Sequence, residues 1–210
     1  MARQTGPVCR RGRREGAKLF LKGTRCDTPK CAMERENRQL PPGASSFRRG
    51  KLTDYAIHLR EKQKVKFYYG VLERQFRRYF ALAERAKGNT GEMLMSLLER
   101  RLDNVVHRLG FGQSRAQARL IVNHGHVTVN GRRVDVPSYS TRPGDVIRVK
   151  DRSKSIQMVK ANLEETGREV PDFLSLADGP QPEGHVLRLP EADDVSIPVQ
   201  TQLIVELCSK

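Results

Sequence analysis

The chain has 210 residues, with 39 Lys+Arg against 24 Asp+Glu, a net charge of +15 and no Trp. That length allows one or two domains with a modest core. No apolar stretch approaches transmembrane length, and the N-terminus lacks a signal-type hydrophobic segment, so the charge points to nucleic acid rather than to a membrane.

The basic excess is uneven. Residues 1–51 hold 14 basic and 4 acidic residues, residues 52–150 hold 19 and 9, and residues 151–210 hold 6 and 11. A generically solvated surface would intersperse both signs throughout, which only the last sixty residues do. The rest reads as a surface directed at a polyanion.

Residues 1–51 read as an extended basic arm, interrupted by Pro7, Pro29, Pro41 and Pro42 and too polar for a core of its own, so it is expected to become ordered on a partner. Its phosphate-binding candidates are Arg3, Arg10, Arg11, Arg13, Arg14 and Lys22, then Arg48, Arg49 and Lys51. Cys9, Cys26 and Cys31 lie among these cations, and Cys208 stands alone near the other end. A Cys-x4-Cys pair with a third cysteine upstream suits a tetrahedral zinc site, completed by Asp27 or a water, which would hold down an arm lacking a core. The neighbouring arginines and lysines would lower the thiol pKa values and favour the metal-ready form. Free cytosolic thiols are the competing reading. An odd cluster without a secretion signal argues against a disulfide framework.

Helical signals run from Thr53 to Gly110. Val65, Tyr68, Tyr69, Leu72, Phe76, Tyr79, Phe80 and Ala83 recur at three- and four-residue steps, an amphipathic pattern with a break near Gly70. These aromatics could stack on unpaired bases, but their spacing favours burial. Arg60, Lys62, Lys64, Arg74, Arg77 and Arg78 fall in a stretch poor in acid and are read as RNA contacts. A second helix is expected after Asn89-Thr90 and through to Gly110, with Leu94, Leu97, Leu98, Leu102, Val105, Val106 and Leu109 as its core stripe. Arg108 lies off that stripe and is a further RNA candidate.

The run Ser114–Val149 carries the most information. Ser114 and Gln117 form a Ser-x-x-Gln capping box, opening a helix with Arg115 and Arg119 on one side. Gly125, between His124 and His126, stops it. Val127-Thr128-Val129 and Arg132-Arg133-Val134 flank Asn130-Gly131, the strongest short hairpin signal, because a type I′ turn needs positive φ at both central positions. A turn at Pro143-Gly144-Asp145 precedes the strand Val146–Val149. A basic helix beside a basic hairpin makes a compact platform for a phosphate backbone, and Ser114, Arg115, Gln117, Arg119, His124, His126, Asn130, Arg132 and Arg133 are its candidate contacts. Arg108, Arg115, Arg119, Arg132 and Arg133 should touch mainly phosphates and sugars, because A-form RNA hides its base edges. Beyond 150, Lys154–Leu163 suits a helix and Val186–Leu189 a strand ended by Pro190; Gln200–Leu207 fits either.

Catalytic signatures are missing: there is no GxxxxGK[ST], HExxH or GxSxG. His124 and His126 show neither the partner nor the pocket an acid–base role needs, so the chain reads as no enzyme and takes no small-molecule substrate.

The Ser114–Val149 run resembles the small RNA-binding module named after ribosomal protein S four. RREGAKLFLKG (13–23), REKQKVKFYYGVLERQFRRYF (60–80), GNTGEMLMSLLERRLDNVVHRLGF (88–111) and QLIVELCSK (202–210) resemble, in order, the bacterial ribosomal protein S four family. The resemblance implies an α+β fold: a mostly helical domain with an inserted small α/β RNA-binding module of helices plus antiparallel sheet, preceded by the basic arm. It divides the chain into the arm at 1–51, a helical domain at 52–98 rejoined by about 195–210 through a terminal helix, and the module with its extension at 99–190. It implies a cytoplasmic structural constituent of the small ribosomal subunit that binds small-subunit rRNA directly, nucleates assembly and supports translational accuracy. Implied neighbours are the fifth and third small-subunit proteins and mRNA near the path by which it enters. A stand-alone or rRNA-modifying factor sharing the module is the alternative. Some family members carry four cysteines, the upstream pair spaced Cys-x-x-Cys; here Gly12 occupies the second of those positions.

Overall fold

The computed structural model describes residues 4–35, 40–43, 51–167, 169–177 and 179–209. The chain resolves into two compact units, residues 1–94 with 197–210, and residues 95–196.

In the first unit, Pro7 precedes helix α1 (Val8–Glu15), which ends at Gly16 in the left-handed conformation. The arm is therefore not wholly extended, and a 3₁₀ turn follows at Gly23–Asp27. Thr53 opens α2 (Asp54–Tyr68), its hydroxyl accepting the Ala56 N–H at 3.3 Å. The expected break falls at Gly70, at φ +63, and Leu72 leads into α3 (Glu73–Arg85). The C-terminal segment forms helix α8 (Thr201–Cys208), which packs on α2, as α1 also does. Val65, Phe76, Ala83, Leu94 and Ile204 are fully enclosed, and Tyr68, Tyr69 and Phe80 are buried with them. Of the aromatics read from the periodicity, Tyr68, Tyr69, Phe76 and Phe80 are core and Tyr79 is half-buried.

The Asn89–Gly110 stretch departs from expectation. Instead of one helix it makes α4 (Thr90–Glu99) and α5 (Leu102–Arg108). Between them, Arg101 pairs with Ser140 in an isolated β-bridge, Thr141 N–H donates to Arg100 O, and Leu102 N–H donates to Tyr139 O at 2.9 Å. The backbone has exchanged helical hydrogen bonds for partners in a distant loop, and apolar periodicity carries no sign of that exchange.

The second unit adds α6 (Arg115–Asn123), α7 (Ser153–Thr166) and a five-stranded antiparallel sheet in the order β2-β1-β3-β5-β4. Its strands are β1 (Val127–Val129), β2 (Arg132–Arg133), β3 (Val146–Val149), β4 (Leu174–Ala177) and β5 (Glu183–Val186). Asn130 and Gly131 both have positive φ, 51 and 77, as the type I′ turn requires. β5 lies earlier than the strand expected at 186–189, because it pairs with β3 through Val146↔His185 and Ile147↔Gly184. One cluster joins Leu102, Val105 and Val106 of α5 and its C-cap Leu109 to Ile121 and Val122 of α6, to the sheet, and to Val159 and Phe173.

Leu102 is 0% exposed in that cluster. Leu102→Ala should cost about 2–5 kcal/mol in a urea titration, as buried large-to-small changes do. At temperatures where the variant stays folded its rRNA affinity should match the parent; a tenfold loss there would move Leu102 from core to interface.

Candidate nucleic-acid interface

The structure sorts the candidate cations into those spent inside the fold and those left facing solvent. In the first unit, Arg10 and Arg14 are exposed on α1, whereas Arg11 lies 5.4 Å over the Phe67 ring and burial lowers its pKa. Arg13 donates to Leu40 O at 2.9 Å. Arg60 pairs with Glu15 at 3.1 Å, and Lys64 with Glu61. Lys62 is buried at 7% exposure and, with Lys66, grips Glu73, which also accepts from Arg77 Nε. Lys22, Lys51, Arg74, Arg77 and Arg78 are exposed. Arg3, Arg48 and Arg49 lie outside the described residues.

In the second unit, Arg108 donates to Glu99 at 3.0 Å and to Asp194 O at 2.8 Å, its side chain only 13% exposed. Arg119 is buried and donates to Asp103 at 3.1 Å, and Arg115 donates to Asn104 Oδ1 at 3.0 Å. These three arginines hold elements together. Ser114 accepts the Gln117 N–H as a cap should, but the Gln117 side chain returns to the Gln113 N–H, at 2.8 Å, rather than to that of Ser114. Asn130 ties the hairpin to β3: its amide donates to Asp145 and its carbonyl accepts the Val146 N–H.

Exposed cations gather at the other end of α6. Arg132 and Arg133 stand on β2, and Arg133 lies so close over Gly125 that a Cβ there would meet its guanidinium. His124 is exposed and the half-buried His126 contacts Ser155 Oγ at 3.0 Å. Burial lowers the His126 pKa, and His124, Arg152 and Lys150 lower it further. Sequence reading missed Lys150 and Arg152. The β1–β3 register, Val127↔Val149, brings Lys150 to His126, and its N–H donates to His126 O at 2.7 Å. Register was the missing information.

The expected zinc site does not fit. Cys9, Cys26 and Cys31 do line one small pocket with Gly12 and Leu19, but among the described residues no group of three His, Cys, Asp or Glu is placed to hold a metal ion. Burial pushes the Cys26 thiol up, although its sulfur accepts the Lys22 N–H. Gly12 is buried and supplies no donor, and a Cβ there would meet Ala17 O at 3.1 Å. Asp27, a candidate fourth ligand alongside a water, is exposed.

A capped helix, an Asn-Gly hairpin and an antiparallel sheet presenting cations together define an S four-type RNA-binding module, and the family description S4 domain matches residues 100–147. The description Ribosomal protein S4/S9 N-terminal domain matches residues 3–99. Similar proteins include the small ribosomal subunit protein uS4 of Thermoanaerobacter sp., 55% identical over 210 residues, and that of Thermus thermophilus, 54% over 212. That of Thermodesulfovibrio yellowstonii is 53% identical over 211 residues, and all three alignments span both chains completely. The chain belongs to the ribosomal protein S4 family, a family of structural proteins rather than enzymes, which displaces the rRNA-modifying alternative.

The Glu73 cluster makes a pH dependence testable. Burial pushes the Glu73 carboxyl up, but hydrogen bonds from Lys62, Lys66 and Arg77 outweigh it and hold the group at about 2 against an ordinary 4.5. A depressed folded-state pKa gives stability that is present above pH 4.5 and lost as pH falls toward 2. Glu73→Gln should therefore lower the urea midpoint at neutral pH, and the gap to the parent should close across that acid window; a gap independent of pH would contradict the assignment.

Proposed function

We propose that this protein is a structural constituent of the small ribosomal subunit that binds small-subunit rRNA directly, nucleates assembly and supports translational accuracy. The observation that carries the reading is the corner where Arg132, Arg133 and Arg152 are exposed, with His124 and the half-buried Lys150 beside them, left after the internal arginines have found partners within the fold. Solvent-facing guanidinium and ammonium groups at the end of a rigid helix and hairpin suit a phosphate backbone, whose neutralisation releases counterions. Family membership, and relatives named as small ribosomal subunit proteins along their full length, support placing the chain in that particle. The exposed Arg10 and Arg14 of α1 and Arg74, Arg77 and Arg78 of α3 extend the rRNA-facing set in the helical unit. The fifth and third small-subunit proteins and mRNA near its path of entry are the neighbours the family resemblance supports, and the setting is the cytoplasmic ribosome. No helix among the described residues is long and apolar enough to cross a membrane.

Replacing Arg132 and Arg133 together by Ala should weaken rRNA affinity and flatten its log–log salt dependence by about one to two units. A filter-binding titration across salt concentrations reads both quantities. An unchanged slope would remove these residues from the interface, and equal affinity for duplex DNA at the same salt would contradict recognition of folded rRNA.

A further inference from the structure

The first unit contains a pocket of about 520 Å³ lined by Arg10, Arg11, Arg14 and Glu15 of α1 and by Arg60 and Phe67 of α2. That volume lies in the range of small-ligand sites and suits a nucleotide rather than a lone phosphate. Its walls are chemically mixed in a way that a phosphate cradle is not. Glu15 sits among the arginines with its side chain only 1% exposed, a poor neighbour for an anion but a good acceptor for N–H donors. Its Oε1 accepts from Arg60 Nη1 at 3.1 Å, while Oε2 is enclosed and has no hydrogen-bond partner. A buried carboxylate oxygen without a donor is a defect that a ligand can repair.

We propose that this pocket receives one guanine base, turned out from a single-stranded part of the rRNA, whose N1–H and N2–H donate to the Glu15 carboxylate. The proposal rests on the rRNA-binding reading above. Guanine offers two adjacent donors on its Watson–Crick edge. Adenine, cytosine and uracil each set an acceptor beside their donor, and that lone pair would face the carboxylate. Arg11 already lies over Phe67, giving the flat guanidinium and aromatic surfaces on which splayed-out bases stack. Burial that lowers the Arg11 pKa and raises that of Glu15 marks the two groups as partly stripped of water before any base arrives. The exposed Arg10 and Arg14 are placed for the adjoining phosphates. Glu15 thus acts as the specificity-determining residue, and the arginines around it as sequence-independent holds.

The test uses the full-length chain bound to small-subunit rRNA. A dicarbonyl reagent that modifies guanine at N1 and N2 reads the base, and hydroxyl radicals read the backbone. In the wild-type complex one guanine should be protected. With Glu15→Gln, which keeps the size of the side chain but turns an acceptor into a donor, that guanine should return to its free-RNA reactivity while the backbone footprint persists. Phe67→Leu should expose the same guanine, and it decides the question should Glu15→Gln fail to fold by circular dichroism. A persistent footprint with no guanine responding in the folded variants overturns the proposal and reduces Glu15–Arg60 to a bridge between two helices. A wild-type chain that leaves no footprint overturns the rRNA reading, and the guanine site falls with it. Guanosine 5′-monophosphate alone is the last arm: micromolar saturation of the Phe67 resonances without RNA would assign the pocket to a free nucleotide and overturn the RNA-borne base.

Discussion

The second unit is organised around a buried ionic network. Arg101 is 0% exposed and clamps Asp103 with two bonds, Nε to Oδ1 at 3.0 Å and Nη2 to Oδ2 at 2.6 Å. Asp103 also accepts from Arg119, one helix away. The equally enclosed Glu99 takes Arg108 and the Asn104 amide, and Asn104 in turn accepts from Arg115. Desolvating this many charges is costly, and a packed apolar substitute could be as stable; removing a single partner typically costs about 3–5 kcal/mol. The return here is geometric. The network braces the junction of α4 and α5 and fastens α6 to α5 from both Arg115 and Arg119. In this unit the exposed Arg132 and Arg133 stand on the hairpin that follows α6.

This explains a division that charge counting cannot reveal. Arginines look alike in sequence, yet Arg115 and Arg119 on α6 are turned to Asn104 and Asp103, while Arg132 and Arg133 on β2 are exposed. The same division recurs in the first unit, where Glu73 gathers Lys62 and Lys66 into the interior and leaves Arg74 and Arg78 outside. A net charge of +15 therefore overstates the charge available to RNA. What is available is concentrated at helix and hairpin ends, where side chains project freely.

Local chemistry was legible where it is decided locally. The Ser114 cap, the Asn130-Gly131 turn, the Gly70 break and the aromatic core of α2 and α3 follow from residue type and spacing alone. The break at Arg100–Arg101 was not legible, because its cause is a loop near residue 140 that takes over the backbone hydrogen bonds. The same holds for β5, whose position is set by pairing with β3, and for Lys150, which reaches His126 only through strand register. The cysteines show the converse hazard. Their spacing suits a metal, but Gly12 supplies no donor and among the described residues no three ligand-type side chains are placed to hold one.

The partition of cations into architectural and RNA-facing sets is most directly tested by an experimental density map of the small subunit carrying this chain. Phosphate oxygens should lie within hydrogen-bonding distance, about 3 Å, of Arg132, Arg133 or Arg152, with Arg119 still on Asp103 and Arg108 still on Glu99. Phosphates against Arg108 and Arg119, with their acidic partners turned away and the hairpin arginines free in solvent, would contradict it.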